Sequence, residues 1–371
     1  MPEATRRPLK SASLPVFPWD TLADATAIAR AHPDGIVDLS VGTPVDEVAL
    51  VIRDALAAAS AAPGYPTTAG TPALREAAVA ALHRRYAVTG LSPDAVLPVI
   101  GTKELIAWLP TLLGLGAADT VVVPELAYPT YEVGALLAGA AVLRADSLTQ
   151  LGPGSPALVY LNSPSNPTGK VLGVDHLRKV VGWGRERGVL IASDECYLGL
   201  GWEAAPLSVL HPEVCDGDHT GLLAVHSLSK TSSLAGYRAG FVAGDPAVVA
   251  ELLAVRKHAG MMVPSPVQAA MVAALDDDGH EQAQRERYGQ RRNALLPALR
   301  SAGFTVDDSE AGLYLWATRG EPCRDAVAWF AQRGILVAPG EFYGPRGGQH
   351  VRVALTATDE RIASAAQRLA R

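Results

Sequence analysis

With 371 residues, 49% of them hydrophobic, the chain can bury a large core and has the make-up of a densely packed, enzyme-sized protein rather than a disordered or fibrous one. Its 32 Lys and Arg against 38 Asp and Glu leave a formal charge of −6 with no long basic run, which excludes the usual electrostatic footprint of a nucleic-acid binder. Cys196, Cys215 and Cys323 lie far apart without disulfide or zinc spacing, the nine histidines form no ligand pattern, and no segment reaches the ~20 apolar residues that span a bilayer. A start that carries Arg6 and Arg7 but lacks an apolar stretch adds to the expectation of a soluble, cytoplasmic protein with no metal site.

In chain order, the first forty residues are rich in proline and read as an arm packed against a smaller unit formed farther along. Short apolar runs at 96–101, 120–124, 157–162, 189–193, 222–227 and 238–243 predict strands. Between them, 103–113, 130–138, 174–187 and 246–258 carry helical periodicity. This alternation predicts an α/β fold with a mostly parallel, doubly wound sheet flanked by helices, whose ligand sits beyond the carboxyl ends of the strands. The run Asp276-Asp277-Asp278-Gly279 marks a hinge or helix junction. A charged helix over 281–300 and strands near 303–306, 313–317 and 350–355 follow, predicting a smaller α+β unit. The expected organisation is 1–40 as arm and part of the small domain, 41–275 as the large domain, and 276–371 as the small C-terminal domain.

The polar clusters fall at the predicted strand ends. The segment 227–240 follows a strand and sets Lys230 among Ser227, Ser229, Thr231 and Ser232, with Arg238 just downstream. A lysine amine can join an aldehyde cofactor, and hydroxyls with an arginine can hold a phosphate dianion; a polar loop with a solvated lysine is the competing reading. The strand 189–193 runs into Asp194-Glu195-Cys196-Tyr197, a carboxylate and a phenol that can serve a ring nitrogen and a ring oxygen, or simply form a polar strand end. Asn162-Ser163-Pro164-Ser165-Asn166-Pro167-Thr168-Gly169 is a turn-forming string. Gly114-Leu115-Gly116 follows a helix and precedes a strand, the wrong order for a dinucleotide loop.

Taken together, the Asn-Pro-Thr-Gly turn, the Asp-x-x-Tyr strand end and the Ser-x-Ser-Lys…Gly-x-Arg-x-Gly segment resemble the class I/II aminotransferases, fold-type I pyridoxal 5′-phosphate enzymes, from about residue 39 to 355. The resemblance implies that Lys230 holds the cofactor as a Schiff base and then shuttles the proton between substrate and cofactor. It implies that Asp194 pairs with the pyridine nitrogen, that Asn166 and Tyr197 bond the ring's phenolic oxygen, and that Tyr128 stacks on the ring. Thr102 and Lys103, opening a helix, would cradle the phosphate with Ser227, Ser229 and Arg238. Tyr65 would reach the phosphate of the neighbouring subunit, implying a homodimer with shared active sites. On the substrate side, Arg352 would grip the α-carboxylate, with Gly42 and Asn166 beside it.

Four phrases, 64–71, 101–110, 124–134, and 340–344 with 351–358, resemble the actinobacterial-type succinyldiaminopimelate aminotransferases of lysine and diaminopimelate biosynthesis. That implies ping-pong transfer from glutamate, leaving 2-oxoglutarate, to an N-succinylated amino-keto-pimelate. Another acidic-amino-acid aminotransferase, of the aspartate or N-acetyl-diaminopimelate type, and a pyridoxal-phosphate β-lyase share the same cofactor residues. A regulator's effector domain would need a DNA-binding module for which the arm is too short. For the distal end of the substrate, Lys257, Arg256 and Arg346 are candidates; the competing reading of each is a solvated surface charge.

Overall fold

The computed structural model describes residues 10–370, so the first nine residues of the arm, with Arg6 and Arg7, lie outside the described residues. Among the described residues thirteen strands are formed: β1 (Val37–Asp38), β2 (Val96–Val99), β3 (Thr120–Val123), β4 (Ala141–Arg144), β5 (Leu158–Asn162), β6 (Leu190–Asp194), β7 (Leu222–Ser227), β8 (Gly240–Gly244), β9 (Thr305–Asp307), β10 (Tyr314–Thr318), β11 (Ile335–Leu336), β12 (Ala338–Pro339) and β13 (Val351–Ala354). The predicted strands are present to within two residues at each end. The two-residue strands β1, β11 and β12 and the edge strand β4 have no counterpart among the predicted ones; the half-exposed residues of β4 explain why it lacks a buried-strand pattern.

Seven strands form one sheet in the order β2-β8-β7-β6-β5-β3-β4. The pairs from β7 to β4 are parallel, whereas β8 is antiparallel to both β7 and β2, so six strands share a direction and β8 alone opposes them. Alternation builds this sheet. Val121, Val123, Leu158, Tyr160, Ala192, Leu223, Val225 and Val242 face one apolar cluster. Their neighbours Val122, Val159, Leu161, Ile191, Leu222, Ala224 and Phe241 face the other. Successive strand residues point to opposite faces, and both faces are covered, as parallel sheets require.

A second, antiparallel sheet has the order β12-β13-β10-β9 and sets Arg352 opposite Trp316 and Ala338. Its core holds Leu313, Leu315, Trp316, Val351 and Val353, and the same cluster takes in Leu22, Val37 and Leu39 from the start of the chain. The acidic run at 276–279 is a helix junction: Ser265–Asp276 ends there, and Asp277 caps Asp278–Ser301 by accepting from His280 N.

Candidate active site

The carboxyl ends of the co-directional strands deliver the polar residues to one place, because a parallel register aligns Asn162 with Asp194 and sets β7 beside them. Beyond these ends lies a cavity of about 700 Å³, within the ~300–1,000 Å³ of small-molecule sites. Lys230, Asp194, Asn166, Tyr197, Tyr128, Thr102, Lys103, Ser227, Ser229, Arg238, Gly42 and Arg352 all line it. Tyr65 does not; it stands 94% exposed at the surface of the chain.

Lys230 sits on the single turn Leu228–Thr231, where the chain leaves β7 before doubling back into β8. Its Nζ donates to Gly42 O, and its carbonyl accepts from Tyr288 OH at 3.1 Å. Burial pushes the ammonium below the usual lysine range, which favours the neutral, nucleophilic amine.

Asp194 is 5% exposed. Its Oδ2 accepts from Tyr131 OH at 2.6 Å and its Oδ1 from Cys196 N at 3.2 Å. Burial raises its affinity for a proton, and these two donors oppose the rise. A buried carboxyl served only by neutral donors is suited to a cationic N–H from a ligand. Tyr131 stacks on Tyr160 at 4.7 Å and meets Tyr128 edge-on at 5.8 Å, so the Asp194 partner and the predicted ring-stacking residue are packed together.

Thr102, Ser227, Ser229 and Arg238 bring hydrogen-bond donors to the same cavity. Thr102 is the first residue of the helix Thr102–Leu112, whose leading N–H groups lack intrahelical partners. Ser227 and Ser229 line the same cavity, and Ser229 N donates to Ser227 Oγ at 3.1 Å. Arg238 adopts φ +56°, uncommon for a side-chain-bearing residue, and its guanidinium lies over Gly101. A Cβ at Gly101 would fall 2.1 Å from Arg238 Nη2, so only glycine permits this approach.

Arg352, which also lines the cavity, is 2% exposed. Its Nη1 donates to Asn166 Oδ1 at 2.9 Å and its Nη2 to Ser40 O at 2.7 Å. The guanidinium also lies 3.9 Å from the Tyr314 ring centre and 4.9 Å from that of Tyr343. Tyr314 OH also forms a hydrogen bond of 3.0 Å with Tyr197 OH, and a Cβ at Gly42 would strike its hydroxyl at 2.1 Å.

The sequence reading passed over Tyr131, Tyr314, Phe17 and Trp19. Tyr131 lies in the first turn of the helix Thr130–Ala138, three residues after Tyr128, but nothing in the sequence ties it to Asp194. The distal candidates fall elsewhere: none lines the cavity. Arg256 is fully buried rather than solvated and pairs with Glu104 at 3.1 Å, while Arg346 lies 3.7 Å from Glu125.

Comparison with known proteins follows this geometry. The description "Aminotransferase class I and II" matches residues 34–369. A protein of Mycobacterium tuberculosis named as a probable aminotransferase is 82% identical over 359 residues, 97% of this chain and 86% of the relative. A 4-dedimethylamino-4-oxo-anhydrotetracycline transaminase of Streptomyces rimosus is 61% identical, covering 96% of this chain and 99% of its own. Among solved structures, a probable N-succinyldiaminopimelate aminotransferase of Thermus thermophilus superposes with a TM-score of 0.85 at 28% identity, covering 95% of this chain and 99% of the other.

Proposed function

The chain belongs to the class I and II aminotransferases, and from that premise we propose that it moves the amino group of glutamate to the keto form of N-succinyl-L,L-diaminopimelate by a ping-pong route. The family is pyridoxal-phosphate dependent and its fold is type I. The residues present fit that cofactor: a buried carboxyl without a cationic partner, an amine freed by burial, and an anion cradle kept open by Gly101. When bound, pyridoxal 5′-phosphate supplies an aldehyde for the lysine and a ring that draws electrons from the substrate's α-carbon.

In this reading Lys230 holds the cofactor and, once released, carries the proton removed from the α-carbon. Asp194, steadied by Tyr131, keeps a proton on the ring nitrogen; Asn166 and Tyr197 bond the ring oxygen, and Tyr128 flanks the ring. The main-chain N–H groups of Thr102 and Lys103, the Ser227 and Ser229 hydroxyls and Arg238 hold the phosphate, joined by Tyr65 from a second copy in a cytoplasmic homodimer with shared sites. Arg352 anchors the α-carboxylate beside Gly42, using the N–H groups left after Asn166 and Ser40 are served.

The observation that carries the reading is the meeting of Lys230, Asp194, Arg238 and Arg352 around one cavity. The succinylated substrate is supported by the Thermus thermophilus structure, and the diaminopimelate part alone by an LL-diaminopimelate aminotransferase of Gloeobacter violaceus, 32% identical over 92% of both chains. A second reading, amino transfer to a bulky cyclic ketone, is supported by the Streptomyces rimosus relative. A half-reaction screen separates them. The cofactor-loaded protein is mixed with single amino acids, and loss of its visible band is followed. Rapid conversion by glutamate and N-succinyl-L,L-diaminopimelate supports the first reading; conversion by glutamate without the succinylated donor refutes it.

A further inference from the structure

The arm crosses the mouth of the cavity as a strap. On one side Lys10 Nζ donates to Leu136 O at 2.9 Å; on the other, Arg324 Nη2 donates to Thr21 Oγ1 at 2.9 Å. Between these anchors Phe17 and Trp19 line the cavity, their ring centres 5.6 Å apart and 36° inclined. Trp19 is backed by Phe342 at 5.3 Å, while Phe17 keeps 51% of its surface exposed. Below them, Lys103 Nζ lies 5.5 Å from the Phe17 ring centre and 5.9 Å from that of Tyr128.

Two features of this wall call for a ligand. The indole Nε1 of Trp19 is buried without an acceptor, a state that costs on the order of 1–3 kcal/mol unless a partner arrives. Of the four cations lining the cavity, Lys230, Arg238 and Arg352 are taken up by cofactor and α-carboxylate in the proposed reading, which leaves Lys103. Burial first, then the nearby Arg238, lowers its hold on a proton, and an anion would restore it.

We propose that Phe17, Trp19 and Lys103 form the subsite for the far end of the substrate, selecting donors with a flat unit, an amide plane or an aromatic ring, that also carry a carboxylate. The flat unit lies against the aromatic pair, a rotation of the indole brings Trp19 Nε1 out to its acceptor oxygen, and the carboxylate meets Lys103. This deepens the proposed function and rests on Arg352 holding the α-carboxylate. A succinyl amide meets the description, and so does a polycyclic ketone with an acidic group.

The test measures half-reaction specificity constants of the cofactor-loaded protein for glutamate, N-succinyl-L,L-diaminopimelate and unacylated L,L-diaminopimelate. Phe17→Ala and Trp19→Ala are expected to lower the constant for the succinylated donor about 5- to 10-fold, the scale of a lost aromatic contact, with glutamate within about twofold. Trp19→Phe keeps a ring and removes the N–H, so it should recover part of that loss. Lys103→Met, at matched cofactor content, should lower the constants for glutamate and the succinylated donor more than that for alanine. Equal losses for all donors, or none, overturn the subsite. If the unmodified protein does not convert the succinylated donor, the substrate reading fails by itself. 4-Carboxy-L-phenylalanine against glutamate in the same variants then decides the subsite, which is overturned if that donor is not converted or loses no more than glutamate.

Discussion

Replacing Arg352 by lysine keeps the charge and changes the number of hydrogen bonds, and the structure sets how many are lost. The guanidinium has five N–H groups. One on Nη1 goes to Asn166 Oδ1 and one on Nη2 to Ser40 O, leaving three for a bound carboxylate. An ammonium has three, so once the same two acceptors are served, one remains. A carboxylate held through two N–H groups therefore loses one charge-assisted hydrogen bond, about 1.5–3 kcal/mol. That corresponds to a fall in kcat/KM of roughly 10- to 150-fold. Every amino-acid substrate carries the α-carboxylate, so donor and acceptor half-reactions should suffer alike. The assay is steady-state transamination with glutamate and with the second substrate, at matched cofactor content read from absorbance. A kcat/KM within twofold of the unaltered protein, or a loss confined to one substrate, would refute the assignment.

Gly101→Ala puts a methyl group 2.1 Å from Arg238 Nη2 on a backbone at φ +85°; pyridoxal-phosphate affinity should fall at least about tenfold, since a displaced guanidinium gives up a charge-assisted hydrogen bond to the phosphate, about 1.5–3 kcal/mol. Equilibrium dialysis giving an unchanged affinity would contradict the cradle. Glu195→Gln tests a buried pair behind the site, where Glu195 Oε2 lies 3.3 Å from His226 Nε2. Burial pushes Glu195 up to about 7 and His226 down to about 3, from ordinary values of 4.5 and 6.5. Between 4.5 and 6.5 the unfolded pair holds one proton on the histidine and the folded pair holds one on the carboxyl, so it contributes no pH slope. With glutamine only His226 titrates; the unfolded chain binds the extra proton, and stability rises with pH by about 1.4 kcal/mol per unit. Urea unfolding of both proteins at about pH 5 and about pH 6 should show the variant gaining that amount relative to the parent. An equal difference at both values would contradict it.

Much of this site was legible because chemistry-bearing residues stand directly at the ends of apolar runs: Asp194 closes β6, Ser227 closes β7 and Asn162 closes β5. Their convergence was not visible locally, since periodicity reports which residues are buried but not which strands pair. Nothing in 240–244 distinguishes an antiparallel strand from its parallel neighbours, and yet the reversal at β8 brings Arg238 back over Gly101. Tyr131 and Tyr314 read as ordinary core aromatics, because the contacts that give them a role, to Asp194 across 63 residues and to Tyr197 across 117, are set only by the fold. Arg256 reads as a surface charge on the helix Pro246–Ala259 and is buried because Glu104, 152 positions earlier, meets it. Phe17 and Trp19 sit among prolines without periodicity, and only the anchoring of the arm at Lys10 and Thr21 brings them to the cavity mouth.

The central claim is that Lys230 holds the cofactor. Borohydride treatment of the pyridoxal-phosphate-loaded protein fixes the cofactor to whichever amine carries it, and peptide mapping by mass spectrometry identifies that residue. The modification is expected on Lys230, with its visible absorbance lost beforehand in Lys230→Ala; a label on Lys103 or Lys170, or an unchanged spectrum in the variant, would contradict the account.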